Sequence, residues 1–336
     1  MFIFTIKFEV KRVSKCFIIF CVNNTKMFIY SPISFILAKE KPASPYEIKT
    51  EALQGELIQN TGFVKNPNKK VHGPVMGDMS VISMNLFTAN FMDDNLNQLT
   101  EETIHVADQH NPSFITLQAV EREHFALLKK ALAPHYEAIG EKYVNYDLRR
   151  RRDELRPIFY DATHFELIKS GQFTPVYRPH HSYGTFGVFR QKGMPQRMFT
   201  VVNIDLYSAD AEYIQEQLYT IIRHIEDGPF SAYPVILGGM INDQTSAVKK
   251  LIKTTYKNTL TADLNNENLP KTTFHYSGRL DDNYQRDFIL LKDEHKNMRV
   301  NYARILSKFE SVRLLHYPVY TIFSFNNKED EKSKKI

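Results

Sequence analysis

The pattern of apolar and polar residues becomes regular from about position 79. From there, short apolar runs rich in β-branched and aromatic residues are separated by polar segments that contain glycine or proline. Such runs predict β-strands. We place strands at 80–86, 114–118, 136–139, 157–160, 165–168, 185–189, 199–206, 235–237, 272–276, 287–291, 298–306 and 319–325.

Helices are predicted between some of these strands, at 95–109, 121–132, 245–253 and from Ser208 to Gly228. The last has the clearest amphipathic stripe, since Ser208 can cap it and Gly228 can end it. Its apolar face consists of Ile214, Leu218, Ile221, Ile222 and Ile225. Many short strands with a few interleaved helices predict an α+β domain over 79–326. We expect two packed β-sheets, a two-layer β-sandwich, flanked by helices.

The segments outside this domain have a different character. Residues 1–78 predict a mostly irregular N-terminal extension, and its part 41–78 reads as an extended arm because prolines and Asn-Lys clusters recur there. Residues 327–336 form a charged tail that we expect to be frayed.

The N-terminus contains a weak secretion signal. Lys11, Arg12 and Lys15 precede an apolar run over 16–22, but the run is short and no small-residue cleavage site follows promptly. Met27 is an alternative start of the chain. We therefore expect a cytoplasmic protein, with secretion as the alternative.

Composition narrows the class without naming a function. The chain has 336 residues, is 43% hydrophobic and 24% charged, and carries a net charge of +5. This mild basic bias permits an acidic partner, such as nucleic acid or an acidic protein surface. The two cysteines, Cys16 and Cys21, fit neither a disulfide framework nor a metal motif. No apolar run is long enough to span a bilayer.

The segment 234–243 carries the first chemical signal. A buried strand over 235–237 breaks at Gly238 and Gly239, and the polar pair Asn242 and Asp243 follows. Two glycines permit a tight turn and a close backbone approach. The residues Gly-Met-Ile-Asn at 239–242 resemble the Gly-Asp-Phe-Asn signature of the endonuclease/exonuclease/phosphatase superfamily, which has the deoxyribonuclease I-like fold.

Further segments resemble motifs of this superfamily in the order that it uses. They are Ile-Ser-Met-Asn-Leu at 82–86, Ile-Thr-Leu-Gln-Ala at 115–119, Arg-Pro-Ile-Phe-Tyr-Asp at 156–161, Phe-Glu-Leu-Ile-Lys-Ser-Gly at 165–171, Val-Asn-Ile-Asp-Leu at 202–206, Gln-Arg-Asp-Phe-Ile-Leu at 285–290 and Leu-Leu-His-Tyr-Pro-Val at 314–319. Each motif is weak by itself. The ordered set covers about 79–325 and implies the fold of the family.

The resemblance implies an active site with several key residues missing. The positions that keep the family's residue are Asn85, Asn242, Asp287 and His316. In the family, the Asp at 287 orients the His at 316. The positions that lose it are the metal-binding Glu, the phosphate-contacting His, the water-activating Asp and the Asp before the catalytic His; here they are Ala119, Asp205, Met240 and Leu315. Alanine offers no ligand, and a thioether suits Mg²⁺ poorly.

Several residues keep two interpretations. Glu121 is either a first-turn helix glutamate or a replacement metal ligand, and Asp205 is either a strand-end ion-pair partner or a ligand of a displaced metal. The pair Asp287 and His316 either stabilises the site wall or retains catalysis. The arginine run, Arg149, Arg150, Arg151 and Arg152, is predicted in a loop, where it is either a solvated charge run or a contact to an acidic partner.

The sequence therefore favours a catalytically inactive member of this fold that acts as a binding or structural module in an assembly. Its expected partner is a protein with an acidic surface, and no cofactor is expected. One alternative is a Mg²⁺-dependent phosphodiesterase or phosphatase with relocated ligands. Another is a non-catalytic nucleic-acid binder that uses the arginine run.

Overall fold

The computed structural model describes residues 3–10, 13–21, 77–88, 96–141, 145–147, 152–174, 184–206, 211–228, 232–241, 255–262, 272–275, 285–307 and 314–326. The chain divides into two compact units, Met1–Gly55 and Glu56–Ile336. None of the helices in these described segments is long and apolar enough to cross a lipid bilayer.

The first unit contains an antiparallel strand pair. Strand β1 (Ile3–Val10) pairs with β2 (Val13–Cys21). The sequence analysis predicted a mostly irregular extension over 1–78, and this strand pair lies within it. Both segments are rich in Ile, Phe and Val, whose bulky side chains favour extended backbone. The predicted extended arm at 41–78 lies outside the described residues except for its last two positions.

The second unit contains the remaining strands and four described helices. The helices are α1 (Leu96–His110), α2 (Arg122–Leu132), α3 (Ala211–Glu226) and the one-turn α4 (Thr259–Ala262). The strands are β3 (Met79–Asn85), β4 (Phe114–Gln118), β5 (Val120–Glu121), β6 (Tyr136–Ile139), β7 (Asn145–Asp147), β8 (Arg152–Leu155), β9 (Ile158–Asp161), β10 (Phe165–Phe173), β11 (Gly184–Gln191), β12 (Met198–Leu206), β13 (Val235–Ile241), β14 (Lys257–Asn258), β15 (Asp287–Lys292), β16 (Met298–Ile305) and β17 (Val319–Phe325).

Two six-stranded sheets form the sandwich. One has the order β10-β11-β12-β13-β15-β14 and the other β16-β17-β3-β4-β9-β6. Within each sheet one central pair is parallel, namely β12 with β13 and β3 with β4. The strands β5, β8 and β7 form a separate three-stranded sheet. The predicted two-sheet α+β architecture is confirmed.

Three apolar layers hold the unit together. Aromatic residues fill the space between the sheets, where Phe114 packs against Phe165, Phe189 and Phe199. A second cluster joins the outer face of the β3 sheet to α1 and α2, and a third joins the outer face of the β12 sheet to α3. Each sheet packs against the other sheet on its inner face and against helices on its outer face. The central strands are therefore apolar on both sides.

Most predicted elements of this unit are present, with one exception among the described residues. The strand predicted at 272–276 is wrong, since the described part of this segment makes only an isolated bridge between Phe274 and His316. The Thr273 hydroxyl accepts hydrogen bonds from the backbone N–H groups of Arg286 and Asp287, so a side chain occupies the place of a backbone strand partner. The helix predicted at 245–253 and the cap Ser208 lie outside the described residues.

Candidate functional site

The candidate site is a cavity of about 200 Å³ at the ends of the central strands. Parallel strands β3 and β4 in one sheet, and β12 and β13 in the other, end at this edge, so residues far apart in sequence meet there. The lining residues are Asn85, Phe87, Ala119, Glu154, Asp205, Met240, Phe274, Arg286, Leu315 and His316. Six of the positions singled out from the sequence thus share one cavity.

Ala119 stands where the sequence resemblance predicts a metal-binding glutamate. It links β4 to β5 with φ of 58°, in the left-handed region that few side chains adopt. Its methyl group is buried and lines the cavity. A methyl group has no oxygen, nitrogen or sulfur atom, so the side chain of Ala119 cannot bind a metal ion.

Met240 and Asn85 contact each other across the two sheets. The Asn85 amide Nδ2 donates to the Met240 Sδ at 3.3 Å, and the Asn85 Oδ1 accepts the backbone N–H of Phe87 at 3.0 Å. Both residues are buried. The polar atoms of the retained asparagine are therefore engaged within the protein, one of them by a thioether.

The two glycines before Met240 explain how β13 reaches this edge. Gly239 has φ of +137°, and a Cβ there would collide with the carbonyl oxygen of Ile204. A Cβ on Gly238 would lie 2.8 Å from the Thr116 hydroxyl of the facing sheet. The close approach predicted from the glycine pair is present between strands and between sheets.

His316 and Asp287 form a buried hydrogen-bonded pair, with the His316 Nδ1 2.8 Å from the Asp287 Oδ2. Asp287 begins β15, and its backbone N–H donates to the Thr273 hydroxyl. Since a carboxylate only accepts, the Nδ1 carries the hydrogen, and the Nε2 of a neutral imidazole is an acceptor. Burial, and then the neighbouring His316, lower the pKa of His275.

Asp205 lies near the end of β12 beside a buried arginine. Its Oδ2 is 3.8 Å from the Arg156 Nη2, and both side chains are less than a tenth exposed. This is an ion pair at long range. Asp205 therefore has a charge partner of its own where the resemblance predicts a phosphate-contacting histidine.

Glu154 is the cavity residue that the sequence analysis missed. It lies on β8, is only 4% exposed and lines the cavity. β8 pairs with β5 so that Glu154 opposes Glu121 and Leu155 opposes Val120, and Glu154 lines the same cavity as Ala119. Sequence reasoning did not select Glu154 because it ends a charged run, and such a run is typical of a solvated surface. The available signal was Leu155, an apolar residue directly after the run.

The remaining wall combines an arginine with aromatic rings. The Arg286 guanidinium lies 3.9 Å from the centre of the Phe274 ring, and that ring meets the His316 ring edge-on at 4.9 Å between centres. Leu315 is buried and donates its backbone N–H to the carbonyl of Phe87. An apolar side chain therefore closes the wall where the resemblance predicts an aspartate.

A buried hydrogen-bond network joins strands β4 and β12, which end at the cavity. The Gln118 Nε2 donates to the Asn203 Oδ1 at 2.7 Å, and the Asn203 Nδ2 donates to the carbonyls of Leu117 and Pro157 at 2.7 and 2.8 Å. These side chains come from opposite sheets. Their hydrogen bonds fix the spacing of β4 and β12 next to the strand ends that form the site.

The residues present do not fit a Mg²⁺ ion. Mg²⁺ requires near-octahedral oxygen ligands, commonly carboxylates, whereas the side chains of Ala119, Met240 and Leu315 offer no oxygen, and of the two carboxylates in the lining, Asp205 lies beside Arg156. Within the described segments, no three His, Cys, Asp or Glu side chains are arranged to hold a metal ion.

Other predicted site residues lie elsewhere. Asn242 falls just after β13 and lies outside the described residues, as do Arg149, Arg150 and Arg151. Arg152 begins strand β8, opposite Asp147, so its predicted loop position is wrong. Pairing with β7 satisfies its backbone. Glu121 ends β5 and precedes α2 without a side-chain capping bond.

Comparison with known proteins supports the fold. No protein-family model matches the sequence. An uncharacterized protein of Encephalitozoon cuniculi (strain GB-M1) is 29% identical over 273 residues, which is 81% of this chain and 85% of that protein.

Several solved structures are similar. The mannosyl-6-phosphatase of Bacteroides thetaiotaomicron matches with a TM-score of 0.62 and 19% identity, over 74% of this chain and 100% of that one. The endonuclease/exonuclease/phosphatase of Bacteroides vulgatus matches with 0.60 and 21%, over 74% and 99%. D. rerio TDP2 in complex with a single-stranded DNA product matches with 0.58 and 15%, over 73% and 98%. These likenesses confirm the predicted fold.

Proposed function

We propose that this chain, which has the endonuclease/exonuclease/phosphatase fold, is a catalytically inactive member that acts as a binding or structural module in a larger assembly. The Asn85–Met240 hydrogen bond is the observation that supports this most strongly. It joins the one retained family residue of β3 to the residue that replaces the water-activating aspartate.

The chemical cost of these replacements is large. A thioether cannot take a proton from water, and a general base typically contributes ~10²–10⁴-fold to a rate. Phosphoryl transfer depends on metal and positioned charge, and Ala119 and Leu315 supply neither. Asp205, which lies beside Arg156, places a carboxylate where the resemblance predicts a phosphate-contacting histidine.

An activity assay tests this proposal. The purified chain is incubated with DNA, RNA, phosphoinositides and aryl phosphates in the presence of Mg²⁺ or Mn²⁺. We expect no hydrolysis above a buffer control. Metal-dependent turnover that disappears in His316→Ala would contradict the proposal, because it would locate catalysis at this cavity.

A Mg²⁺-dependent phosphoesterase with relocated ligands is the second candidate. Glu154 favours it, since a buried carboxylate lines the cavity beside Ala119. Mg²⁺ binding measured by calorimetry separates the two candidates. Saturable binding that is lost in Glu154→Gln, together with turnover, would support the enzyme.

Nucleic-acid binding without catalysis is a third candidate. D. rerio TDP2, which shares the fold, has been solved with a single-stranded DNA product. In this chain the arginine run from Arg149 to Arg152 would carry the contact. Affinity for DNA or RNA that falls steeply as salt rises, and that is reduced when the run is replaced, would support this candidate.

A further inference from the structure

We propose that the outer face of strand β16 binds a single-stranded nucleic acid, with phosphates on Arg299 and Arg304 and a base against Tyr302. This surface is separate from the cavity, because none of these three residues lines it. The proposal therefore goes beyond the proposed function and does not depend on the state of the cavity.

The strand register places Arg299, Tyr302 and Arg304 on one face of β16, the outermost strand of its sheet. Two of their partners in β17 belong to the apolar cluster that joins the outer face of the sheet to α1 and α2. A shift in register between Val300 and Tyr302 puts Arg299, three residues from Tyr302, on this same face. The partners, in the same order, are Ser324, Ile322 and Tyr320.

Neither arginine has a carboxylate partner among the described residues. Arg299 is exposed, and the half-buried Arg304 has its guanidinium 5.7 Å from the centre of the Tyr302 ring. Asp78, which lies next to β17, accepts the Arg197 Nη1 and the backbone N–H of Phe325 with its two carboxylate oxygens. The two arginines therefore form a positively charged surface that attracts an anion.

The residue at which the chain enters the domain, Gly77, lies against this same face. An added Cβ there would collide with the Ile322 side chain and would lie 3.3 Å from the Asn301 Nδ2. The preceding residues, 57–76, contain no Asp or Glu and include three lysines, Lys65, Lys69 and Lys70. This segment has the same sign of charge as the arginines, so it does not neutralise them.

Tyr302 favours nucleic acid over other anionic partners. It is half-buried and packs against the outer cluster, with its ring 6.3 Å from that of Tyr320 and the Arg304 guanidinium over it. Bases stack on aromatic rings and on guanidinium planes, and arginine binds phosphate oxygens in a bidentate way. An acidic peptide would use only the arginines. A duplex hides its base faces, so this surface fits a single strand.

Fluorescence anisotropy with the full chain and a labelled oligouridine tests binding, with EDTA present to remove divalent metal. We expect saturable binding. Arg299→Gln and Arg304→Gln should each weaken it at least threefold and reduce the slope of log affinity against log salt by about 0.7. Lys130→Gln removes the same charge from an exposed position of α2 and should change neither quantity.

Two substitutions of Tyr302 test stacking. Tyr302→Leu should weaken binding at least about fivefold, whereas Tyr302→Phe keeps the ring and should retain the affinity. Melting temperatures identify a variant that fails to fold, and the exposed Arg299 keeps the test decisive if Tyr302→Leu does. Absence of saturable binding, equal weakening by Lys130→Gln, or equal effects of the Leu and Phe substitutions would overturn the proposal.

Competitors separate other occupants. Polyglutamate that displaces the probe as well as unlabelled oligouridine does would assign the surface to an acidic protein and overturn the proposal. Equal affinity for a duplex of the same length, or for inorganic polyphosphate, would overturn base stacking on a single strand. Replacing residues 149–152 by serine should leave the effect of Arg299→Gln in place, and loss of that effect would locate binding at the arginine run instead.

The hydrolysis assay on the same sample keeps the two proposals apart. Metal-dependent hydrolysis would contradict the proposed inactivity and leave the β16 surface standing. Absent hydrolysis together with absent oligouridine binding would remove this inference alone.

Discussion

Met240 lies between two aspartates in the sheet register, opposite Asp205 of β12 on one side and Asp287 of β15 on the other. Its buried thioether separates these carboxylates and accepts the Asn85 amide from the facing sheet. Met240, which stands where the resemblance predicts a catalytic aspartate, therefore has a buried side-chain contact of its own.

Met240→Asp should destabilise the domain rather than restore catalysis. A third carboxylate would be buried between Asp205 and Asp287, and we expect a loss of roughly 1–3 kcal/mol at pH 7. The neighbouring charges would raise the pKa of the new carboxyl, so the loss should shrink as pH falls and the group is protonated. Chemical denaturation at two pH values measures both effects.

Met240→Leu is the matched control for this substitution. It conserves volume and apolar character, so it should cost less than about 1.5 kcal/mol and show no added pH dependence. A Met240→Asp variant as stable as the original chain, or one with metal-dependent hydrolysis, would show that the cavity tolerates the family's residue.

His124 should make stability depend on pH. Burial lowers the pKa of His124 from 6.5 to about 3. Between pH 6.5 and 3, His124 is protonated in the unfolded chain and neutral in the folded chain. The free energy of unfolding therefore falls as pH falls from 6.5 toward 3. The slope from this group is about 1.4 kcal/mol per pH unit.

Replacing His124 by Gln should flatten this part of the stability profile, which denaturation at pH 7, 6 and 5 would measure. His105 is exposed on α1, so His105→Gln should leave the slope unchanged. The same slope in both variants would assign the acid sensitivity to other groups.

Asn203→Ala should strongly destabilise the sandwich. The change removes the hydrogen bonds to Gln118, Leu117 and Pro157 and leaves their buried polar groups without these partners. Each unsatisfied buried group costs about 1–3 kcal/mol, so we expect a loss of at least about 2 kcal/mol. Asn301→Ala is the control, because Asn301 is partly exposed. Similar melting temperatures for both variants would show that the network contributes little.

Replacing Arg149–Arg152 by serine should weaken incorporation into the native assembly and leave the melting temperature nearly unchanged. Adjacent cations repel one another and need counter-charge, which an acidic partner supplies. Co-purification from native cells measures incorporation. Serine at Lys332, Lys334 and Lys335 gives a similar loss of charge in the tail. Equal effects of both replacements would indicate a net-charge effect rather than a contact.

The sequence alone determined the fold and several of the residues that line the cavity. Strand periodicity and the order of the motifs led to the sandwich, since both are local properties of the chain. The motif positions also singled out Ala119 and Met240, and the structure places both in the cavity lining. Local spacing also placed Gly238 and Gly239 where the backbone had to approach a neighbour.

The tertiary structure determined which further residues line the cavity and which buried residues contact each other. Glu154 enters it because β8 pairs with β5, and that pairing is not encoded in the charged run that precedes Glu154. Asn85 meets Met240 across 155 residues of sequence. His124 acquires its low pKa from burial. Each of these properties depends on which distant segments pack together and how much water they exclude, and side-chain identity and spacing do not specify either.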